Sequence, residues 1–116
     1  MSEKDCLFCR VAARMVPAEI VGEADGLLAF KDINPQAPVH LLVIPTDHIP
    51  SLADAADGQT ALLGKAVLFA NRLARQYRLV PDGYRVVINC GPQAGQSVPH
   101  LHLHLLGGRA LRWPPG

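Results

Sequence analysis

Apolar positions along the chain follow two different periods. Between Gly58 and Leu79, the residues Leu62, Leu63, Ala66, Val67, Ala70, Leu73, Ala74 and Tyr77 recur at spacings of three and four. That is the stripe of an amphipathic helix. Lys65, Arg72, Arg75 and Gln76 fall largely on the remaining arc. Elsewhere the apolar runs are short and bounded by turn residues, which is strand patterning. Glu19 to Gly22 and Leu27 to Lys31 flank the turn Ala24-Asp25-Gly26 and read as a hairpin. His40 to Ile44 is a branched, leucine-rich strand stopped by Pro45. Tyr84 to Asn89 follows the turn Pro81-Asp82-Gly83, and His100 to Leu106 is a last strand closed by Gly107-Gly108. A short apolar stretch from Cys6 to Met15 predicts an N-terminal helix, with Pro17 stopping it.

Five strands, one long helix and mostly short connections predict an α+β fold of two layers. Its sheet is largely antiparallel, one face lying under the long helix and the other free for chemistry or a partner. No repeat, low-complexity tract or linker divides the chain, so residues 1–116 read as a single domain.

Composition narrows the function. Hydrophobic residues make up 49% and charged ones 18%, which excludes intrinsic disorder. Eleven Lys and Arg against ten Asp and Glu leave a net charge of +1. No long-range field draws the chain to a nucleic acid or an anionic membrane, so any phosphate must be met by a shaped pocket. Three cysteines, Cys6, Cys9 and Cys90, are not a disulfide framework. With no signal-peptide pattern and no membrane-length apolar run, the expected home is soluble, reducing and cytoplasmic.

The chemistry concentrates in Pro99-His100-Leu101-His102-Leu103-His104-Leu105. Strand alternation predicts His100, His102 and His104 on one face and the leucines on the other, with imidazoles about 7 Å apart. Imidazole serves near neutral pH as nucleophile, proton donor or metal ligand. The preceding loop, Asn89 to Val98, carries Gly91 and Gly95, which allow turns that expose amide N–H groups, and the donors Gln96 and Ser97. Such a loop suits an anion. Cys6-Leu7-Phe8-Cys9 has metal-knuckle spacing, which also occurs as plain buried thiols. His48 and His100 are the candidates to complete a zinc site with Cys6 and Cys9.

His100-Leu101-His102-Leu103-His104-Leu105-Leu106 resembles the histidine triad signature. Asp32-Ile33-Asn34-Pro35-Gln36-Ala37-Pro38-Val39-His40, Gly95-Gln96-Ser97-Val98, Gly107-Gly108-Arg109 and Trp113-Pro114-Pro115-Gly116 resemble the Hint branch, the histidine triad nucleotide-binding proteins. Pro99 departs from it, standing where the family often has an aromatic residue. The resemblance implies a purine nucleoside phosphoramidase that cleaves a P–N bond through a nucleotidyl-histidine. It makes His102 the nucleophile, His104 and His40 the contacts that balance charge on the phosphate, and Ser97 the partner of the leaving group. His100 is the outermost member of the triad. Asp32 would hold the ribose, Ile33 and Phe30 the base, and Asn89, Gly95 and Gln96 the ribose and phosphate. It also implies a homodimer with a shared sheet, the tail reaching toward the partner's site. No cofactor would be needed for catalysis. Zinc, bound as in some bacterial-type relatives, would tie the first helix to the sheet. Two alternatives remain: a dinucleoside polyphosphate hydrolase of the fragile-histidine branch, and a nucleotide- or zinc-binding interaction module without catalysis.

Overall fold

The computed structural model describes residues 5–116. Its elements are α1 (Leu7–Ala12), β1 (Ile20–Ala24), β2 (Leu27–Lys31), β3 (Val39–Pro45), α2 (Thr60–Gln76), β4 (Tyr84–Val87) and β5 (Leu103–Gly107). The strands form one sheet in the order β1-β2-β3-β5-β4, and every neighbouring pair is antiparallel. The expected α+β architecture is present, with both helices. No helix among the described residues is long and apolar enough to cross a membrane.

Strand alternation divides the interior in two. Leu27, Ala29, Leu41, Val43, Leu103 and Leu105 point to the α2 side, where they meet Ala66, Phe69, Ala70, Leu73 and Ala74. The helix stripe is the expected one at Leu62, Ala66, Ala70, Leu73, Ala74 and Tyr77 and differs within its arc. Phe69 is in the core, whereas Val67 is 48% exposed. On the opposite face Leu28, Phe30, Leu42 and Ile44 pack against Cys6, Phe8 and Val11. That face is not free, contrary to the expectation from the strand pattern. The six-residue α1 covers one end of it.

Both helices stop short of their expected ends, and for the same reason. Arg14 and Arg78 each adopt φ +61. Met15 N–H then donates to Arg10 C=O and Arg14 N–H to Val11 C=O, while Leu79 N–H donates to Ala74 C=O and Arg78 N–H to Arg75 C=O. These paired bonds are Schellman closures, usually built on glycine. Here arginine occupies the left-handed position, so no glycine in the sequence marks either end. Leu79, placed by the second closure, packs over β5 at Gly107, where a Cβ would come within 2.7 Å of Leu79 Cδ1.

The start of β5 differs most from expectation. His100 and His102 lie before the strand, which begins at Leu103. Pro99 has no N–H to give a ladder. His100 N–H instead turns back to Val98 C=O, and Leu101 N–H donates to Ile49 C=O at 2.6 Å. The chain from 98 to 102 is thus pinned to the segment after β3. This bend sends the first histidine of the triad to a different place from the other two.

Candidate functional site: two histidine clusters

The first cluster is built on the sheet. His40 of β3 and His104 of β5 lie on the face away from α2, beside Leu106 and Leu42 in the register. Gln36 N–H donates to His40 Nδ1 at 3.0 Å. A backbone N–H can only donate, so the ring proton of neutral His40 is on Nε2. That Nε2 stands 2.9 Å from His104 Nδ1 and donates to it. The remaining proton of neutral His104 is then on its Nε2. The relay converts one loop amide into a fixed donor on the site face.

Burial keeps both rings neutral. It is the main cause that lowers the pKa of His104 to about 4, with the neighbouring His102 and His40 adding to the shift and Asp32 opposing it. His40 is lowered by burial too, against the pull of Asp32. The Asp32 carboxylate lies 3.4 Å from His40 Nε2 and accepts from Asn34 N–H at 2.8 Å.

His102 is set by a single bond. Its Nδ1 lies 2.7 Å from the carbonyl oxygen of His100. A carbonyl only accepts, so Nδ1 carries the proton and Nε2 the lone pair. Phe8 holds the ring in place edge-on at 5.2 Å, and Phe8 in turn packs on Phe30 at 5.4 Å. The His102 and His104 ring centroids are 5.0 Å apart. A lone-pair nitrogen beside a fixed N–H donor is the arrangement for attack on an electrophile that carries an anionic oxygen.

These two rings border a cleft of about 310 Å³. Leu7, Phe8, Val11, Phe30 and Leu42 make its apolar wall, and Asp32, Ile33 and Ser97 stand at its polar side. Ile33 is 98% exposed at this border. Of the remaining expected residues, Asn89 lies in a neighbouring cleft beyond His104. Gln96 is turned away. Its side chain accepts from Gly91 N–H and donates to Pro50 and Val98 carbonyls, bracing the loop that carries Ser97. Gly91 and Gly95 do take the positive φ values the loop needs. Sequence reasoning missed Phe8, whose only signal is its place between two cysteines.

The second cluster holds His100. Fully buried, His100 lies away from the cleft, its Nδ1 3.3 Å from Cys6 Sγ, 3.5 Å from Cys9 Sγ and 3.3 Å from His48 Nδ1. Cys9 Sγ is 3.2 Å from His48 Nδ1. All four ligand atoms lie within 4.8 Å of one another. Zinc–sulfur and zinc–nitrogen bonds of about 2.3 and 2.0 Å in a tetrahedron place neighbouring donors roughly 3.3–3.8 Å apart, so the donor set fits zinc. His100 Nε2 lies 2.8 Å from Pro45 C=O, which fixes its proton there and leaves Nδ1 as the ligand atom. Bound here, zinc would cross-link α1 to the segments after β3 and before β5. Asp32, His40 and His104 also lie within 4.8 Å. Three of the four ring nitrogens here are engaged in the relay. Cys90 joins neither group.

Two imidazoles thus stand at the edge of an apolar cleft, one presenting a lone-pair nitrogen and the other a fixed N–H donor. The chain belongs to the HIT domain family, whose pattern it matches over residues 13–111. It is 53% identical over 116 residues to an uncharacterised HIT-like protein of Synechococcus elongatus, covering all of both chains. Its fold is similar to a HIT family hydrolase from Legionella pneumophila, with a TM-score of 0.95, 48% identity, and coverage of 97% of this chain and 100% of that one. A zinc-bound histidine triad family protein from Mycobacterium smegmatis gives a TM-score of 0.79 at 32% identity, with 93% and 78% covered. A histidine triad nucleotide-binding protein from Candida albicans also gives 0.79, at 28% identity, with 95% and 83% covered.

Proposed function

We propose that this protein hydrolyses purine nucleoside 5′-phosphoramidates, releasing a nucleoside monophosphate and an amine. The observation that carries the reading is the bond from His102 Nδ1 to the His100 carbonyl, which leaves Nε2 as a lone pair in the cleft wall. His102 Nε2 attacks the α-phosphorus and forms a P–N bond to the ring. The bond from phosphorus to the substrate amine breaks, and the departing nitrogen takes a proton from water at the boundary of the cleft, whose lining includes Ser97. Positive charge on the ring is stabilised through Nδ1–H by the same carbonyl. Water then attacks phosphorus, gives up a proton and frees the monophosphate together with neutral His102. His104 Nε2–H donates to a phosphate oxygen throughout, held in that tautomer by His40.

The nucleoside lies in the apolar cleft, with its base against Phe30 and Ile33 and its ribose hydroxyls donating to Asp32. Asn89 reaches the phosphate from the neighbouring cleft, and Gly95 and Gln96 shape the loop that carries Ser97. No metal enters these steps, and zinc at Cys6, Cys9, His48 and His100 has a structural role. The protein acts as a homodimer in the cytoplasm. The L. pneumophila hydrolase and the C. albicans nucleotide-binding protein support the class of reaction and ligand.

Turnover of an adenosine 5′-phosphoramidate by wild type and His102→Ala tests this reading, with AMP release measured. Loss of a covalent nucleophile costs about three to six powers of ten in rate. Equal rates in the two proteins would remove His102 from the mechanism. A wild type that binds AMP tightly but releases none would leave a binding module.

A further inference from the structure

A second cleft, about 250 Å³, opens on the far side of His104. His104 and His40 form its inner wall, and Arg85, Asn89, Arg109 and Pro115 the rest that matters here. The register explains why it adjoins the first. Phe30 lies opposite Leu42, Leu42 opposite His104 and His104 opposite Val87, while His40, Leu106 and Arg85 form the next row. Facing residues in an antiparallel sheet share a face. The site face therefore grades from an aromatic and aliphatic end at β2, through imidazoles, to guanidinium at β4.

Both arginines are held in place by neutral groups. Arg85 Nη2 donates to the Arg112 carbonyl at 2.9 Å and to Leu111 at 3.5 Å. Arg109 Nε and Nη2 donate to Gln36 C=O at 3.1 and 3.0 Å, and Nη1 to its neighbour Ala110 at 2.8 Å. Among the described residues no carboxylate forms an ion pair with either. Nε and Nη1 of Arg85 have no protein acceptor there either. Two fixed positive charges on one cleft, with spare N–H donors and no counter-ion, match a carboxylate or phosphate. Tail-anchoring alone accounts for one Nη2 of Arg85, not for the accumulation of charge.

We infer that this second cleft receives the leaving group and selects leaving groups that carry an anion, a carboxylate or a phosphate. The inference rests on the phosphoryl chemistry proposed at His102. A phosphate held by His104 sits at the boundary of the two clefts, so a nucleoside in the apolar one directs the other substituent toward Arg85 and Arg109. The ordering also gives the enzyme a chemical preference that a bare histidine pair lacks.

The test compares full-length protein on three substrates: the adenosine 5′-phosphoramidate of propylamine, that of β-alanine, and diadenosine triphosphate, whose leaving group is ADP. Within each protein the readout is the ratio of kcat/KM for each anionic substrate to that for the propylamide. Wild type is expected to favour at least one anionic substrate by about tenfold, the scale of a single charge-assisted contact. Which one it favours distinguishes carboxylate from phosphate. Arg85→Gln and Arg109→Gln each bring that ratio toward one, Arg85→Lys keeps part of it, and added salt reduces it in wild type. The ratio is internal to each variant, so a general loss of activity does not imitate the effect. Turnover of the propylamide with ratios near one in wild type overturns the anion subsite and leaves the phosphoramidase reading standing. A preference unchanged in both glutamine variants overturns the arginines' role. No turnover of any substrate overturns both readings.

Discussion

His102 and His100 are two residues apart, yet they belong to opposite kinds of site. His100 is fully buried, donates through Nε2 to Pro45 and presents Nδ1 to two thiols and a second imidazole. His102 donates through Nδ1 to the carbonyl of His100 and presents Nε2 at a cleft. The side chains are identical, and the difference lies in which nitrogen a backbone carbonyl engages. The carbonyl on His100 Nε2 leaves Nδ1 facing the thiols, and the carbonyl on His102 Nδ1 leaves Nε2 facing the cleft, the nitrogen that the proposed reaction uses. The two clusters are also mechanically joined. Phe8, between Cys6 and Cys9 on a two-turn helix, packs edge-on to both rings at 6.0 and 5.2 Å.

The sharpest way to break the comparison is to exchange which histidine is lost. His102→Ala removes turnover, as above, and should leave zinc uptake intact. His48→Ala should do the reverse, abolishing stoichiometric zinc while AMP release continues; a dead His48→Ala enzyme that still melts normally would contradict the division of labour. The His40 relay comes next in size. His40→Ala leaves His104 free to place its proton on either nitrogen, and kcat should fall by up to about a hundredfold, the scale of one lost donor. His40→Gln keeps an N–H near the Nε2 position and should recover part of that loss. No change in either variant would show that the relay does not set the donor.

On the other side of the comparison, Cys9→Ala takes a ligand from the buried cluster. Metal content should drop from about one zinc per chain to none, and the melting midpoint should fall because metal binding couples to folding. An unchanged midpoint with zinc lost would make the cluster dispensable for the fold. The smallest effect is pH dependence. His104 titrates at about 4 in the folded chain and His40 below its ordinary value, whereas unfolded histidine titrates near 6.5. Between about pH 6.5 and 4 the unfolded state binds more protons, so stability rises with pH across that window. It is fully present above 6.5 and lost as pH falls through 4. Urea melts at pH 7.5, 5.5 and 4 check the sign, and greater stability at pH 5.5 than at 7.5 would contradict it.

Periodicity made most of this molecule legible. The five strands, the hairpin at Gly26, the long helix and the outward histidine His104 all follow from apolar spacing of two or of three and four. What periodicity cannot carry is a change of backbone direction without glycine. Arg14 and Arg78 close their helices in the left-handed conformation, and nothing in the local composition marks them. The bend at Pro99 is similar. Strict alternation from His100 to Leu105 predicts three imidazoles in a row, and the contact of Leu101 N–H with Ile49 C=O, fifty-two residues away in sequence, breaks that row. Backbone bonds also decide the tautomers, since the Gln36 N–H and the Pro45 and His100 carbonyls are groups that every sequence offers. The Cys6, Cys9, His48 and His100 grouping is offered by the cysteine spacing and by residue type, with plain buried thiols as the alternative, and the fold brings the four side chains together.

The central claim is that His102 Nε2 forms a bond to phosphorus, and the direct measurement is to trap it. Wild-type protein mixed with an adenosine phosphoramidate and quenched within milliseconds should carry one nucleotidyl group, and peptide mapping by mass spectrometry should place it on His102. The phosphorus resonance of the trapped protein should be that of a phosphoramidate on Nε2. Steady AMP release with no adduct at any quench time, or an adduct on His104 or His40 instead, would contradict the account.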